Sequence, residues 1–176
     1  MLHLKDLVFS ITIVYCLGCN GEEPYPNGCC DNPPISESVG NGHVYVQNIF
    51  TPNGDGLNDL ITLYGNSNIT LIRRMQIIAA DNTVVFIQDD FPPGNPSIGW
   101  DGRVKGIKKQ GLFNVIIEVE AVDGTVKTVE GKVCNYSCES NQTEKLGHDK
   151  CRFPGQNDNG HFNPNIASGE YGGCFE

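Results

Sequence analysis

Aromatic side chains are scarce in this chain: eight Phe, six Tyr and one Trp, Trp100, among 176 residues. A sugar-binding platform of exposed rings therefore has little to draw on. Cationic side chains are also few. Twelve Lys and Arg face 21 Asp and Glu, for a net charge of −9. Nucleic-acid binding needs a basic stripe to meet the phosphates, and none is evident. The same negative balance repels anionic membranes, so membrane attachment would have to come from a lipid. A membrane-spanning helix needs ~20 apolar residues. Residues 7–17 (LVFSITIVYCL) fall well short of that. Catalytic signatures are missing too: no Gly-x-Ser-x-Gly, no His-Glu-x-x-His and no P-loop. No two carboxylates are marked as an acid/base pair. The chain reads as a non-enzyme.

What is present begins at the N-terminus. Lys5 and the free amine precede the apolar run, and the small Gly18 precedes Cys19. This arrangement resembles a bacterial lipoprotein signal with its lipobox. The resemblance implies removal of residues 1–18 and acylation of Cys19. Each buried CH₂ of an acyl chain contributes ~0.8 kcal/mol, so two or three chains anchor firmly where one does not. The alternative is an ordinary secretory signal with Cys19 in a disulfide. Either way the chain is exported. Glu22-Glu23 resembles the acidic export signal of surface lipoproteins and points to the cell exterior.

Of the eight cysteines, Cys16 leaves with the signal and Cys19 carries the lipid. Cys29, Cys30, Cys134, Cys138, Cys151 and Cys174 remain. An even number in an exported chain reads as up to three disulfides, whose pairing the sequence leaves open. The alternative is zinc held by Cys134, Cys138, His148 and Cys151, since Cys134-x₃-Cys138 has ligand-pair spacing.

Residues 19–42 are polar and rich in Pro, Gly and Asn, and read as a tether. Residues 43–134 hold short apolar runs: 43–50, 60–64, 69–79, 83–88, 112–122 and 125–133. Turn residues separate them. The run 69–79 also admits a helical reading, but its β-branched residues favour a strand. Asp123-Gly124 predicts a tight hairpin with positive φ at both central positions. These features predict an all-β fold, a single β-sandwich. Residues 135–176 are again irregular, with three cysteines and few aliphatics. Such a tail cannot order itself by burial and needs disulfides or a partner.

The most specific internal stretch is Phe50-Thr51-Pro52-Asn53-Gly54-Asp55-Gly56-Leu57-Asn58-Asp59. Asn53, Asp55, Leu57 and Asp59 stand at alternate positions, a spacing that can aim oxygens at one Ca²⁺, with Leu57 offering its carbonyl. Asp101 or waters would complete the shell. The plain alternative is a turn satisfied by its own side chains. Further on come Gly99-Trp100-Asp101-Gly102, Gly106, Gly111-Leu112-Phe113 and Gly131-Lys132-Val133. Trp100 reads as a sandwich-core or edge anchor, with surface recognition as the alternative. Together these marks resemble the gliding-motility-associated C-terminal domain, the type B sorting domain of type IX secretion, over roughly residues 44–134. The resemblance implies a small Ig-like sandwich. Residues 135–176 follow it and no cargo precedes it, so the expected role is docking rather than sorting.

The resulting expectation is a lipid-anchored outer-membrane protein, facing the cell exterior. It would serve as an accessory subunit of an outer-membrane complex in secretion, gliding, uptake or barrel assembly. A free-standing carbohydrate-binding or adhesion module is the first rival. A small metal-dependent enzyme built on the Cys/His tail is the second.

Overall fold

The computed structural model describes residues 28–95, 97–136 and 150–167. The chain is all-β, with no α-helix among the described residues. Strands β1 (Ile35–Val39), β2 (Gly42–Val46) and β4 (Tyr64–Gly65) form a three-stranded sheet in the order β1-β2-β4. Strands β3 (Ile49–Phe50), β5 (Ile69–Ile78), β6 (Val84–Phe91), β9 (Gly111–Ala121) and β10 (Val126–Asn135) form the second sheet. Its order is β3-β10-β9-β5-β6. All of its pairings are antiparallel except β3 with β10. Two hairpins and a 3₁₀ turn at Pro154–Gln156 complete the inventory of the described residues: β7 (Arg103–Val104) with β8 (Ile107–Lys108), and β11 (Asn157–Asp158) with β12 (His161–Phe162).

One apolar core joins the two sheets, as expected of a β-sandwich. Ile35, Val39, Val44 and Val46 of the small sheet pack with Ile72, Met75, Ile77, Val115, Ile117 and Val119 of the large one. The period-2 alternation of β9 turns Phe113, Val115, Ile117, Val119 and Ala121 inward. Burying such side chains fully is worth about 1.5–3 kcal/mol each. Gly131 is required where β1 crosses β10, because a Cβ there would meet the Ile35 side chain.

Strand β5 explains the helical look of its sequence. Its buried residues are Ile69, Ile72, Met75 and Ile77, three apart at first. Register shifts against β9 between Ile69 and Leu71 and between Ile72 and Arg74 produce that spacing. Each β-bulge inserts a residue and re-aims the side chains beyond it.

Three expectations need correction. Residues 35–39, placed in the tether, form β1. Ile35 and Val39 are buried, but the alternation is too short to stand out against Pro33-Pro34 and Gly40. The run 60–64 contributes only Tyr64 to a strand. Ile61 makes one isolated bridge to Trp100, and Ile61 and Leu63 are fully buried. That run is apolar because it fills the core, not because it pairs along its length. The turn at Asp123-Gly124 has positive φ only at Gly124 (+82°). Its loop is three residues long, since Ala121 N–H donates to the Thr125 carbonyl (2.9 Å). A single left-handed residue then suffices. The hairpin with both central residues at positive φ is Lys105-Gly106, at +52° and +80°.

Candidate functional site

Two cystines bind the ends of the fold together. Cys29 pairs with Cys134, 105 residues away, and Cys30 with Cys151, 121 residues away. The zinc alternative is thereby overturned for Cys134 and Cys151, whose sulfurs are each bonded to another cysteine. Cys19, Cys138, His148 and Cys174 lie outside the described residues. The cystines share a second buried cluster with Ile49, Tyr136 and Phe153.

Asn48 is the polar centre of this end. Its Nδ2 donates to the carbonyls of Asn32 (2.8 Å) and Lys150 (3.0 Å). Its Oδ1 accepts from Arg152 N–H at 2.7 Å. Its backbone N–H donates to the Arg152 carbonyl (3.2 Å), and its carbonyl accepts from Cys134 N–H (2.8 Å). Asn48 thus joins three parts of the chain: its amide bonds Asn32 before β1 and Lys150 and Arg152 before β11, and its carbonyl bonds Cys134 in β10. The signal in the sequence was Gln47-Asn48, two amides interrupting the apolar run 43–50 and both about 1% exposed here.

The C-terminal segment lies against β2. Tyr45 hydroxyl donates to the Phe153 carbonyl at 2.9 Å, and burial pushes its pKa well up. Arg152 stands 5.0 Å over the Phe162 ring. His161 stacks on His43 with ring centroids 3.7 Å apart. Partial burial, then the neighbouring His161, holds the pKa of His43 below its usual value. Ser36 and Ser38 hydroxyls reach the two His43 ring nitrogens at 3.2 Å each.

The loop 53–59 is closed by its own side chains. Asn53 Oδ1 accepts from Asp55 N–H (2.9 Å), and Asn53 Nδ2 donates to Asp55 Oδ2 (2.8 Å). Asp55 Oδ1 accepts from Leu57 N–H (2.8 Å). The Asp59 carboxylate accepts from the N–H groups of Gly54 (2.7 Å) and Gly56 (2.9 Å). Asp101 engages Arg103: its Oδ1 accepts from the Arg103 N–H (3.1 Å), and Oδ2 lies 3.5 Å from Nε. The structure therefore gathers Asn53, Asp55, Leu57 and Asp59 in one loop and gives Asp101 a different partner. No group of three His, Cys, Asp or Glu poised for a metal occurs among the described residues. The loop's oxygens keep second lone pairs, so the donor types still suit Ca²⁺.

Trp100 is a core anchor, 2% exposed. Its ring meets Phe113 edge-on at 4.6 Å and Phe50 at 5.6 Å, and Nε1 donates to the Arg103 carbonyl at 2.9 Å. Asn135 holds the loop after Trp100: Nδ2 donates to the carbonyls of Gly102 (3.0 Å) and Lys109 (2.6 Å). Hydrogen bonding from Asn135 thus clamps both sides of the β7–β8 hairpin at its base.

An open cavity of about 670 Å³ lies beside β1, lined in part by Pro34, Ile78, Asn114 and Glu130. No helix among the described residues is long and apolar enough to cross a membrane. Neither a protein-family model nor a curated protein matches the chain. The likeness to the gliding-motility-associated domain thus stands on its motif residues alone.

Proposed function

We propose that this chain is an exported, lipid-anchored outer-membrane protein facing the cell exterior, and that it acts without catalysis as a docking subunit of an outer-membrane complex. The observation that carries the reading is the pair of cystines, Cys29–Cys134 and Cys30–Cys151. Disulfides that close the ends of a fold belong to oxidising compartments outside the cytosol. Their first halves, Cys29 and Cys30, lie ten and eleven positions after Cys19, which closes the N-terminal apolar run. The docking role draws on the gliding-motility-domain resemblance and on the irregular segment the cystines pin, since binding specificity tends to reside in positioned loops. The rival sugar-binding reading has little aromatic surface to use among the described residues, where the exposed large apolar residues are all aliphatic.

The test is affinity purification from detergent-solubilised membranes, paired with Cys19→Ser. The wild-type chain should carry an acyl mass increment on Cys19 and bring membrane proteins with it in fixed ratio. Cys19→Ser should leave the membrane fraction. A wild-type chain that purifies alone, or an unlipidated Cys19, overturns the reading.

Ca²⁺ belongs to the same proposal, as a ligand of Asn53, Asp55, Asp59 and the Leu57 carbonyl. A ligand of the native state alone stabilises by about 2.7 kcal/mol at a hundredfold excess over Kd. EDTA should lower the melting temperature, and Asp55→Ala should remove the difference. An unchanged melting curve leaves the loop as a turn.

A further inference from the structure

Four of the twelve cationic residues, Arg103, Lys105, Lys108 and Lys109, fall within seven residues of this net −9 chain. The structure concentrates them on the β7–β8 hairpin. Its two-residue turn, Lys105-Gly106, carries positive φ at both positions. That geometry matches strand twist and makes a defined projection. Arg103 is paired with Asp101, 3.5 Å away. Lys105, Lys108 and Lys109 are exposed and form no ion pair among the described residues. Between them stands Ile107, 63% exposed, more than any other large apolar side chain described.

The position of the hairpin matters as much as its charge. Asn135 holds the hairpin's base through Gly102 and Lys109. The residue before it in β10, Cys134, is disulfide-bonded to Cys29. Cys29 lies ten positions after Cys19. A chain of that length spans at most about 35 Å. The base of the basic hairpin and the N-terminal segment therefore meet on one strand end.

We propose that the hairpin 103–109 is a membrane-surface contact. Its lysines would meet the anionic headgroups of the lipid layer that holds Cys19, and Ile107 would enter the headgroup boundary. The proposal rests on the lipid-anchor reading for its geometry. Charge complementarity carries the choice of partner. Each lysine close to an anionic surface contributes about 1 kcal/mol, a factor of about five. The acidic remainder of the chain is repelled by the same surface, so the field orients the body with this hairpin toward the lipid. An acidic whole with one basic, apolar-tipped projection thus fits a peripheral contact that orients an anchored protein.

The test uses the exported Cys19→Ser protein, which keeps the full mature chain without its anchor. Sedimentation is measured with vesicles of phosphatidylcholine containing phosphatidylglycerol, and with phosphatidylcholine alone. Binding is expected only to the anionic vesicles and should be lost at high salt. K105Q/K108Q/K109Q should bind about a hundredfold more weakly. Ile107→Ser should weaken binding about fivefold, the share of a partly inserted aliphatic chain. All four side chains are exposed, so circular dichroism and melting curves should match the parent. Equal binding to both vesicle types, no binding, or an indifferent triple variant overturns the proposal. So does a triple variant that keeps lipid binding but loses co-purifying proteins, because the hairpin then faces a protein. Failure of the anchor reads differently: Cys19 of the wild-type chain would carry no acyl mass, whatever the vesicles show.

Discussion

In the five-stranded sheet, β9 turns Phe113, Val115, Ile117, Val119 and Ala121 inward, and its neighbours answer with Ile72, Met75, Ile77, Val129 and Val133. At the cystine end the buried groups are two disulfides, the Asn48 amide, Ile49, and the rings of Tyr136 and Phe153. The first region is ordered by apolar area removed from water. The second has little such area for the length of chain it fixes. Ordering each residue costs about 1–2 kcal/mol of backbone entropy, so it needs cross-links and satisfied polar groups as well. The two regions should therefore fail under different treatments. Loss of apolar volume should melt the whole sandwich. Loss of cross-links should free the segments 28–34 and 150–167 while the large sheet persists.

The sharpest break is removal of both cystines by Cys29→Ser/Cys30→Ser. Native disulfides typically contribute about 2–4 kcal/mol each, here closing loops of more than a hundred residues. Hydrogen exchange should show segments 28–34 and 150–167 exposed, with β5, β9 and β10 still protected. Loss of protection throughout would mean the cystines hold the sandwich as well. The converse break is Trp100→Ala. Removing a buried Trp costs about 3–5 kcal/mol. A single cooperative drop in melting temperature across both regions is expected. A drop confined to the hairpin 103–109 would show that Trp100 anchors only that loop.

Asn48→Ala separates polar satisfaction from the covalent links. It strands the Asn32 and Lys150 carbonyls and the Arg152 N–H. Leaving such groups unsatisfied costs about 2–4 kcal/mol in total. Denaturant unfolding should show the loss with the disulfides intact, and an unchanged midpoint would assign the end's order to the cystines alone.

The smallest expected effect is on pH. The pKa of His43 in the folded chain lies below its ordinary value of 6.5, through partial burial and then His161, with Lys127 adding and Glu37 opposing. The unfolded chain therefore binds the proton more readily. The stabilisation from neutral His43 is present above pH 6.5 and declines as pH falls through the window below it. Amides of the 157–162 hairpin should exchange faster relative to the large sheet at pH 5.5 than at 7.5, after correction for intrinsic rates. His161→Ala should reduce that relative change.

The large sheet was legible because its chemistry is local. The apolar run 112–122, the turn at Asp123-Gly124 and the β-branched content of 69–79 each point to strand or turn without reference to anything distant. Trp100 likewise read as a core residue from its single occurrence beside a turn. The 53–59 loop was legible as a set of oxygens, but not in what those oxygens face. Short-range hydrogen bonds to the loop's own amides compete with any cation for the same atoms. The segment 35–39 was misplaced because one buried pair, Ile35 and Val39, carries too weak a period to outweigh Pro and Gly on either side.

The sequence by itself determined an acidic, all-β chain with an even set of cysteines, since composition, period and turn chemistry act over a few residues. Only the tertiary structure decided that Cys29 meets Cys134 and Cys30 meets Cys151. It alone made Asn48 the joint of three segments, and brought the lysines of 103–109 beside the strand end where the N-terminal segment is bound. The cystines and the Asn48 bonds to Lys150 and Arg152 each span more than a hundred residues, and the Asn135 bonds that place the hairpin span 33 and 26. They arise from the path of the folded backbone, which no local preference encodes.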